Sequence, residues 1–430
     1  MKILTLPTLP GNPQIAYIQT CLHIEQVSAT SIAETFDTPT YVYSRAAIEQ
    51  AARQYMDAAS RSPVRVALRY AVKANSTLAV LQVLARLGWG FDIVSGGELQ
   101  RVLAAGGEAG KVVFSGVGKT AADMRLALDA GVECFNLESP NELTVLNRVA
   151  QEAGKVARVA LRVNPDVDAG THPYISTGLK TNKFGIAQEQ AVALALQTAL
   201  LPHVKLIGIA SHIGSQITSV EPYLDALDKV LDLVESLEHK GAQIAHIDLG
   251  GGLGIRYNHE TPPTPQDWLA PLLARIAARG FGHRTVMVEP GRSIVGNAGV
   301  LLTRTLYLKS TPAKHFAVVD AGMNDLIRPA LYEAEQVVAP AEVRAAPALK
   351  YDIVGPVCES ADWLARDRAL ALEEGDLLAV LSSGAYGMVM ASNYNSRGRP
   401  AEVLVDGAKA ILIRPRETAE QLYASERLLP

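Results

Sequence analysis

The stretch VRVALRYAVKANSTLAVLQ, Val64–Gln82, changes its apolar period at a single lysine, Lys73. Apolar residues alternate from Val66 to Val72, which is the period of a β-strand. From Leu78 onward they recur at helical spacing. The sequence therefore predicts that a strand ends and a helix begins beside this lysine.

Either Asn75 or Ser76 is the expected cap of that helix, so Lys73 lies at the carboxyl end of the strand. In a parallel barrel this position opens into the active-site mouth. An ordinary lysine at a strand end is solvated, whereas a desolvated lysine is a neutral amine that forms a Schiff base with a carbonyl group. The neighbours that would desolvate this lysine are Tyr70, Ala71 and Ala74.

Short apolar runs recur along the chain, and segments with helical spacing separate them. The runs are Val66–Val72, Gly90–Val94, Val112–Phe114, Cys134–Leu137, Val159–Val163, Leu206–Ala210, Ile244–Leu249 and Thr285–Val288. Strand and helix alternating in this way predict a TIM-like (β/α)₈ barrel, with a further helix near Ala46–Ala58 before it.

The pattern changes after about Arg292, where apolar runs alternate with turns and long helical segments are missing. These runs are Val300–Leu308, His315–Asp320, Leu349–Val354, Leu377–Leu381, Glu402–Val405 and Lys409–Ile413. They predict a mainly antiparallel β domain, either a barrel or a sandwich. We expect residues 44–292 to form the (β/α)₈ barrel and residues 1–43 plus 293–430 to form the β domain. We expect the first 25 residues to be a loosely attached extension.

Composition restricts the function further. The 430 residues are 48 % hydrophobic and carry a net charge of −4, which gives no basic field for nucleic acid or a membrane surface. No apolar stretch reaches the length of a membrane helix, and the N-terminus does not resemble a signal peptide. Three scattered cysteines suit a reducing cytoplasm and predict no metal cluster. We expect a cytoplasmic protein that acts on a small molecule.

Polar residues and glycines follow the predicted strands, where a barrel places its active site. They are Lys73, Asp92, Ser95, His212 to Ser215, Gly250, Gly251, Gly252, and Glu289 to Arg292. An arginine, glycines and a serine after the last three strands predict a phosphate site, because backbone N–H groups and a guanidinium bind a dianion well. A triple glycine alone is equally typical of a tight turn.

A phosphate site beside a Schiff-base lysine predicts a cofactor with both an aldehyde and a phosphate, and pyridoxal 5′-phosphate has both. Glu289 would then face the pyridine nitrogen and keep it protonated, with a salt bridge to Arg292 as the alternative. The imidazole of His212 would stack on the cofactor ring, although a histidine at such a position is more often part of the core.

Several motifs together resemble the fold-type III pyridoxal-phosphate-dependent decarboxylases, over about Thr38 to Leu422. They are Tyr70–Asn75, His212–Ser215, Gly250–Gly252, Glu289–Arg292, Cys358–Glu359 and Gly384–Gly387. The similarity is greatest to the branch that converts meso-2,6-diaminopimelate to L-lysine and CO₂, a carboxy-lyase reaction that is the last step of lysine biosynthesis. The resemblance implies a barrel followed by a β domain, as in alanine racemase and ornithine decarboxylase. It also implies a homodimer with shared active sites.

The resemblance implies roles for individual residues as well. Lys73 would form the Schiff base, Glu289 would pair with the ring nitrogen and His212 would stack on the ring. Other residues around the cofactor would be Asp92, Ser215, Gly250, Gly251, Gly252, Gly291, Arg292 and Tyr386. Cys358 would reach across the dimer interface and protonate the carbanion left by CO₂. The alternative for a lone cysteine is a buried, inert thiol.

The segment Met323–Tyr332 resembles the part of the family that holds the distal end of the substrate. The residues assigned to the distal carboxylate are Arg328, Tyr332 and Arg292; Glu359 would take the distal ammonium group, and Tyr386 would lie beside them. An analogue without that carboxylate would leave the arginine without a counter-charge, which gives selectivity. A surface salt bridge is the alternative for Arg328.

Two further features of the barrel sequence are a long connection without periodicity and a charged residue on the first strand. The connection Pro165–Gly185 runs about twenty residues without periodicity, as functional loops do, and its part Thr171–Lys180 resembles the family and would cover the site. Arg69 shares the facing of Lys73, and a charge inside a barrel needs a partner that the sequence does not name.

Three other functions are distinguishable by single residues. A decarboxylase of ornithine, another basic amino acid or a carboxylated polyamine would have an apolar or acidic residue in place of Arg328. A racemase on the same barrel would have arginine in place of Glu289. A non-catalytic regulatory binder would have lost Lys73 or Cys358. All four residues are present, which favours the diaminopimelate reaction.

Overall fold

The protein divides into two compact units. The computed structural model describes residues 6–168, 170, 172, 175, 177–178 and 182–430. The barrel unit comprises Ala51–Gly254 and Thr261–Ser293. The sheet unit comprises Met1–Gln50, Ile255–Glu260 and Ile294–Pro430.

The N-terminal segment forms strands β1 (Ile15–Ile18), β2 (Cys21–Ile24), β3 (Val27–Ser28) and β4 (Thr40–Ser44) and helix α1 (Ala29–Phe36). Strands β1 to β3 make a small antiparallel sheet. Ile15, Leu22 and Ile24 are buried in one apolar cluster with Val42 and Val300 of the same unit. The prediction of a loosely attached extension is therefore wrong, because strands of two to four residues are too short to show a period.

The barrel unit contains β5 (Val66–Ala71), β6 (Gly90–Ile93), β7 (Val112–Phe114), β8 (Cys134–Leu137), β9 (Ala157–Asn164), β10 (Ile186–Ala187), β11 (Val204–Ala210), β12 (His246–Asp248) and β13 (Thr285–Val288). Eight of these pair in the order β9-β11-β12-β13-β5-β6-β7-β8, and pairing of β8 with β9 closes the ring. All pairs are parallel. The predicted barrel is confirmed.

The helices of this part of the chain are α2 (Arg45–Ser60), α3 (Leu78–Arg86), α4 (Gly96–Ala104), α5 (Ala121–Ala130), α6 (Pro140–Glu152), α7 (Gln188–Ala199), α8 (Glu221–His239), α9 (Pro265–Ala278) and α10 (Arg292–Val295). The predicted cap of α3 is wrong, because Thr77 precedes this helix. Asn75 instead accepts the N–H of Thr77 through Oδ1 at 3.0 Å. Lys73 lies in a 3₁₀ turn, Val72–Ala74, between strand and helix.

Two buried polar side chains, Arg69 and His246, lie on barrel strands. Arg69, whose partner the sequence did not name, donates through Nη2 to Glu133 Oε2 at 2.5 Å. His246 lies on β12, opposite Gly208, where any Cβ would meet the imidazole ring. Burial lowers the pKa of His246 to about 4, and the charges of Arg69 and Arg158 contribute. The histidine is therefore neutral inside the barrel.

The sheet unit continues with β14 (Gly299–Ser310), β15 (His315–Val319), β16 (Val338–Pro340), β17 (Leu349–Val354), β18 (Trp363–Leu370), β19 (Leu377–Val380), β20 (Ala401–Asp406) and β21 (Lys409–Arg414), and with helices α11 (Arg328–Tyr332) and α12 (Ala419–Tyr423). The main sheet has the order β18-β17-β15-β14-β4-β20-β21. Only the pairs β15–β17 and β4–β20 are parallel among those described. The predicted sheet-rich second part is confirmed. Among the described residues, no helix has the length and apolar content needed to cross a membrane.

Candidate active site

A pocket opens at the carboxyl ends of the barrel strands and encloses about 600 Å³ of empty space, its open mouth included. Every strand of the ring places a lining residue there, within two residues of the end of the strand. From β5, β6, β7, β8, β9, β11, β12 and β13 these are Lys73, Val94, Ser115, Asn136, Arg162, Ala210, Asp248 and Glu289. The pocket lies at the end of the barrel that the sequence predicts for chemistry.

The amine of Lys73 is held by a carboxylate from the next strand. Its Nζ lies 2.8 Å from Oδ2 of Asp92, which is fully buried. The lysine side chain is 35 % exposed, so the predicted desolvation by apolar neighbours is wrong and an ion pair takes its place. Oδ1 of Asp92 has no hydrogen-bond partner among the described residues. The amine and a bare carboxylate oxygen thus lie together beside the cavity.

Glu289 presents a buried carboxyl group to the same pocket. Its Oε1 has no hydrogen-bond partner in the described part of the chain. Burial raises the pKa of Glu289 well above its usual range, and the nearby carboxylates of Asp248 and Asp92 raise it further. The charge of Lys73 acts in the opposite direction. These effects favour the protonated form of the carboxyl group, and one of its oxygens is still available to a ligand.

His212 follows β11 and lines the pocket. Its Nδ1 accepts the N–H of Gly251 at 3.3 Å, which fixes the orientation of the ring. Burial lowers the pKa of His212 well below its usual value, and the positive charges of Lys73 and Arg162 lower it further. The imidazole is neutral, as a flat surface for stacking on a cationic ring requires.

The glycine run Gly250–Gly252 follows β12 and has no room for side chains. Gly250 has φ +66°, and a Cβ there would lie 2.7 Å from the carbonyl oxygen of Ser211. A Cβ on Gly251 would overlap the carbonyl oxygen of Glu289. The run is therefore more than an ordinary tight turn, because its backbone packs directly against neighbouring strand ends.

Arg292 and Ser215 flank the glycine run, from β13 and β11 respectively. Nη2 of Arg292 donates to Oγ of Ser215 at 2.9 Å, and the arginine is buried. Because β11, β12 and β13 are consecutive in the ring, the three predicted parts of the phosphate site belong to neighbouring strands. Gly291 packs against Ala71 and Ala74, where a Cβ would come within 3.0 Å.

In the sheet unit, Arg328 is the first residue of α11 and is buried. Its guanidinium carbon lies 5.5 Å from the ring centre of Tyr257 and 5.2 Å from that of Tyr332. The alternative of a surface salt bridge is therefore wrong. A planar cation packed against two aromatic rings is a preorganised binding group for a carboxylate.

Cys358 and Glu359 are exposed in the sheet unit, so the alternative of a buried thiol is wrong. The N–H of Cys358 donates to Oδ1 of Asn395 at 3.2 Å. The hydroxyl of Tyr394 donates to Oε1 of Glu359 at 2.6 Å. Tyr386 belongs to the same unit and has a left-handed backbone, with φ +55°.

The chain is similar to known proteins in both sequence and structure. Residues 45–296 match the family "Pyridoxal-dependent decarboxylase, pyridoxal binding domain". Diaminopimelate decarboxylase from Pseudomonas aeruginosa is 61 % identical over 95 % of this chain and 97 % of that protein, and the Vibrio cholerae enzyme is 53 % identical over the same shares. A crystal structure of the M. jannaschii diaminopimelate decarboxylase in complex with L-lysine covers 98 % of this chain and 99 % of that one, at 38 % identity and a TM-score of 0.93.

The chain belongs to the diaminopimelate decarboxylases. Membership in this family confirms the predicted carboxy-lyase class and pyridoxal 5′-phosphate as the cofactor. The barrel residues fit that cofactor, because the bare Oε1 of Glu289 suits a ring N–H donor. The side-chain-free glycine run and the buried Arg292 suit a phosphate group.

Sequence reasoning missed several residues of this decarboxylase pocket. Asp248 and Asn136 line it, and Arg162 does so while paired with Glu138 at 2.5 Å. Each lies among apolar strand residues. A polar residue at an inward position of a barrel strand, as Asp248 is directly before the glycine run, is the signal that would have found them.

A second lysine lies close to the pocket but is enclosed. The side chain of Lys119 is 0 % exposed, and its Nζ donates to the carbonyl oxygens of Gly116 and Asn136, each at 2.7 Å. It also pairs with Oε1 of Glu142 at 2.6 Å. This amine is committed to holding the loops after β7 and β8.

The loop that we expected to cover the site can be followed only in part. Much of Thr171–Lys180 lies outside the described residues, so that expectation stays a prediction. Thr177 does line the pocket and donates through Oγ1 to the carbonyl of His212 at 2.9 Å. One point of this loop is thus fixed to the end of β11.

Proposed function

We propose that this chain decarboxylates meso-2,6-diaminopimelate to L-lysine and CO₂ in the cytoplasm. One observation supports the proposal most strongly. The Lys73 amine, the bare Oε1 of Glu289 and the neutral His212 ring all lie in one pocket. Its relatives are named diaminopimelate decarboxylase, which supports diaminopimelate as the substrate. Three free cysteines, in both buried and exposed positions, support a reducing compartment.

The barrel residues bind and orient the cofactor in this proposal. When bound, pyridoxal 5′-phosphate supplies the electron sink that makes loss of a carboxylate possible. Lys73, steadied by Asp92, provides the amine for its aldehyde. Glu289 accepts the ring N–H at Oε1, and His212 stacks on the ring. The phosphate site consists of Ser215, Gly250, Gly251, Gly252, Gly291, Arg292 and Tyr386.

The sheet unit recognises the substrate and supplies a proton. Arg328, with Tyr332 and Arg292, binds the distal carboxylate, and Glu359 binds the distal ammonium group. Tyr386 lies beside them. Cys358 transfers its thiol proton to the substrate carbon that has lost CO₂. The buried guanidinium between aromatic rings supports this assignment, because it is already ordered for a carboxylate ligand.

The enzyme acts as a homodimer with shared active sites in this proposal. The barrel unit binds the cofactor, and the sheet unit contributes substrate and dimer-interface residues. The exposed Cys358–Glu359 pair supports this, because an acid pair on the surface of one chain is accessible to a second. Mixing Lys73→Ala with Cys358→Ala should restore part of the activity, since one hybrid site is then intact. No recovery on mixing, with dimers present, would contradict a shared site.

The test of the reaction is CO₂ release by the cofactor-loaded enzyme from meso-diaminopimelate, L-lysine and L-ornithine in parallel, with Lys73→Ala as the blank. Release from diaminopimelate alone is the expected result. Release from ornithine or lysine instead would overturn the substrate assignment but not the cofactor. Silence from all three would point to a regulatory binder.

A further inference from the structure

Asp248 is the last residue of β12, immediately before Leu249 and the glycine run, and is only 1 % exposed. Its Oδ1 accepts the N–H of Gly250 at 2.9 Å, and its Oδ2 lies 3.4 Å from Nδ2 of Asn136. Its carboxyl group and that of Glu289 line the same pocket, and each contributes to the shift of the other's pKa. This deeply buried carboxyl group therefore accepts its hydrogen bonds from residues of the cofactor site.

Hydrogen bonds through Gly250 link two strand ends. Gly250 donates its N–H to Asp248 and accepts, through its carbonyl oxygen, the N–H of Glu289 at 2.7 Å. The carboxyl groups of Asp248 and Glu289 lie in the same pocket beside this link. Asp248 is therefore connected through Gly250 to the backbone of Glu289.

Two carboxyl groups form a hydrogen bond only when one of them carries a proton. Asp248 is stabilised as the carboxylate by the Gly250 N–H and the Asn136 amide, whereas Oε1 of Glu289 has no donor among the described residues. The other charges that face the pair are Asp92 and Lys73. These contacts favour Glu289 as the carrier of a proton shared by the two carboxyl groups.

We propose that Asp248 is a positioning residue of the cofactor site, which shares one proton with Glu289 and holds that carboxyl group with Oε1 turned into the pocket. This inference rests on the proposed role of Glu289 at the ring nitrogen. Because the shared proton links the two carboxyl groups, the negative charge of Asp248 makes Oε1 of Glu289 a stronger acceptor for the ring N–H.

The shared proton is tested on the cofactor-free protein by infrared spectroscopy with ¹³C-labelled glutamate. Burial raises the pKa of Glu98 to about 7, so the measurement uses a Glu98→Gln background to remove its signal. We expect a label-sensitive C=O band of a protonated carboxyl group, which Glu289→Gln removes. Asp248→Asn should also remove it, because the amide donates to Glu289 and keeps it ionised. No band, or a band that survives in Asp248→Asn, would overturn the proposal.

Positioning is tested by cofactor affinity. Asp248→Ala should weaken pyridoxal 5′-phosphate binding at least about tenfold, because it removes the acceptor of the Gly250 N–H and the carboxyl group beside Glu289. Asp248→Asn keeps an acceptor for the Gly250 N–H and should bind within about threefold of the parent. The matched control is Asp123→Asn, another barrel carboxylate that accepts a glycine N–H, from Gly96 at 3.1 Å. It should leave affinity unchanged. Equal affinities for Asp248→Ala and the parent would contradict the inference.

The two failures are distinguishable. The infrared band does not depend on decarboxylation, so its absence overturns the proton pair alone. CO₂ release decides the proposed function separately. If Asp248→Ala does not fold, the comparison of Asp248→Asn with Glu289→Gln still decides the question.

Discussion

Tyr394 donates its hydroxyl hydrogen to Oε1 of Glu359 at 2.6 Å, while the next residue, Asn395, accepts the N–H of Cys358 at 3.2 Å. Two consecutive residues therefore hold two other consecutive residues in place. Asn395 adopts a left-handed backbone with φ +57°. The proposed ammonium-binding group and the proposed proton donor are thus fixed separately.

Replacing Tyr394 with phenylalanine removes only the hydroxyl that orients Glu359. Because Cys358 keeps its own contact with Asn395, we expect KM for diaminopimelate to rise about threefold to tenfold while kcat changes little. Steady-state CO₂ release measures both constants. Tyr423→Phe, at another exposed tyrosine of the sheet unit, should change neither constant. A fall in kcat with KM unchanged would contradict a role for Tyr394 through Glu359.

Replacing Arg328 with methionine keeps an apolar contact with Tyr257 and Tyr332 but removes the guanidinium. We expect kcat/KM for meso-diaminopimelate to fall at least about 100-fold, because the distal carboxylate loses its counter-charge. The control is Arg366→Met, since Arg366 also stacks on an aromatic ring, 4.0 Å from the centre of Trp363. Equal losses in both variants would mean that stacking, not carboxylate binding, explains the effect.

Replacing Gly251 with alanine forces a methyl group against the carbonyl oxygen of Glu289. The glycine run must then move, and we expect the affinity for pyridoxal 5′-phosphate to fall at least about tenfold. Equilibrium dialysis of the cofactor measures this. At Gly282, by contrast, an added Cβ meets its nearest neighbour at an ordinary 3.4 Å, so Gly282→Ala serves as the control and should bind normally.

The stability of the barrel should depend on His246 in acid. The pKa of this residue is about 4 in the folded chain, against 6.5 for an unperturbed histidine. Between these values only the unfolded chain takes up the proton, so this contribution to stability is complete above pH 6.5 and is lost as the pH falls toward 4. The full loss is about 3 kcal/mol.

His246→Gln should remove that part of the acid sensitivity. Urea unfolding of the parent and the variant at about pH 7.5 and about pH 4.5 gives the difference. Replacing the exposed His283 in the same unit with glutamine should leave the acid sensitivity as it is. A variant at position 246 that loses as much stability in acid as the parent would contradict a neutral, buried imidazole.

Much of the barrel could be predicted because each strand is a short apolar run bounded by turns. The run Thr285–Val288 and its following motif show this well, since the strand and Glu289 both lie where the pattern places them. Active-site residues of this fold lie at strand ends, so the positions of Lys73, His212 and the glycine run could also be predicted. Their roles in catalysis stay predictions.

Other features depend on contacts between residues far apart in sequence. Arg69 pairs with Glu133, 64 positions away, and the burial of Ile15 depends on strands near residue 300. Asp248 was missed for a different reason. One acidic residue in an apolar run does not change the apolar period of the strand. Strand β18 was missed because its WLARDRAL sequence carries three charges, which obscure an apolar pattern.

The enclosure of Lys119 has a practical consequence for chemical labelling. Aldehydes and acylating reagents need a lysine nitrogen with a free lone pair and an open approach, and this amine has three acceptors and no exposed surface. Lys73, by contrast, is open to the cavity. An amine-reactive probe small enough for the pocket would thus discriminate between two lysines of one barrel rim. Its protection by the cofactor would report the fraction of the enzyme that is loaded, without any substrate.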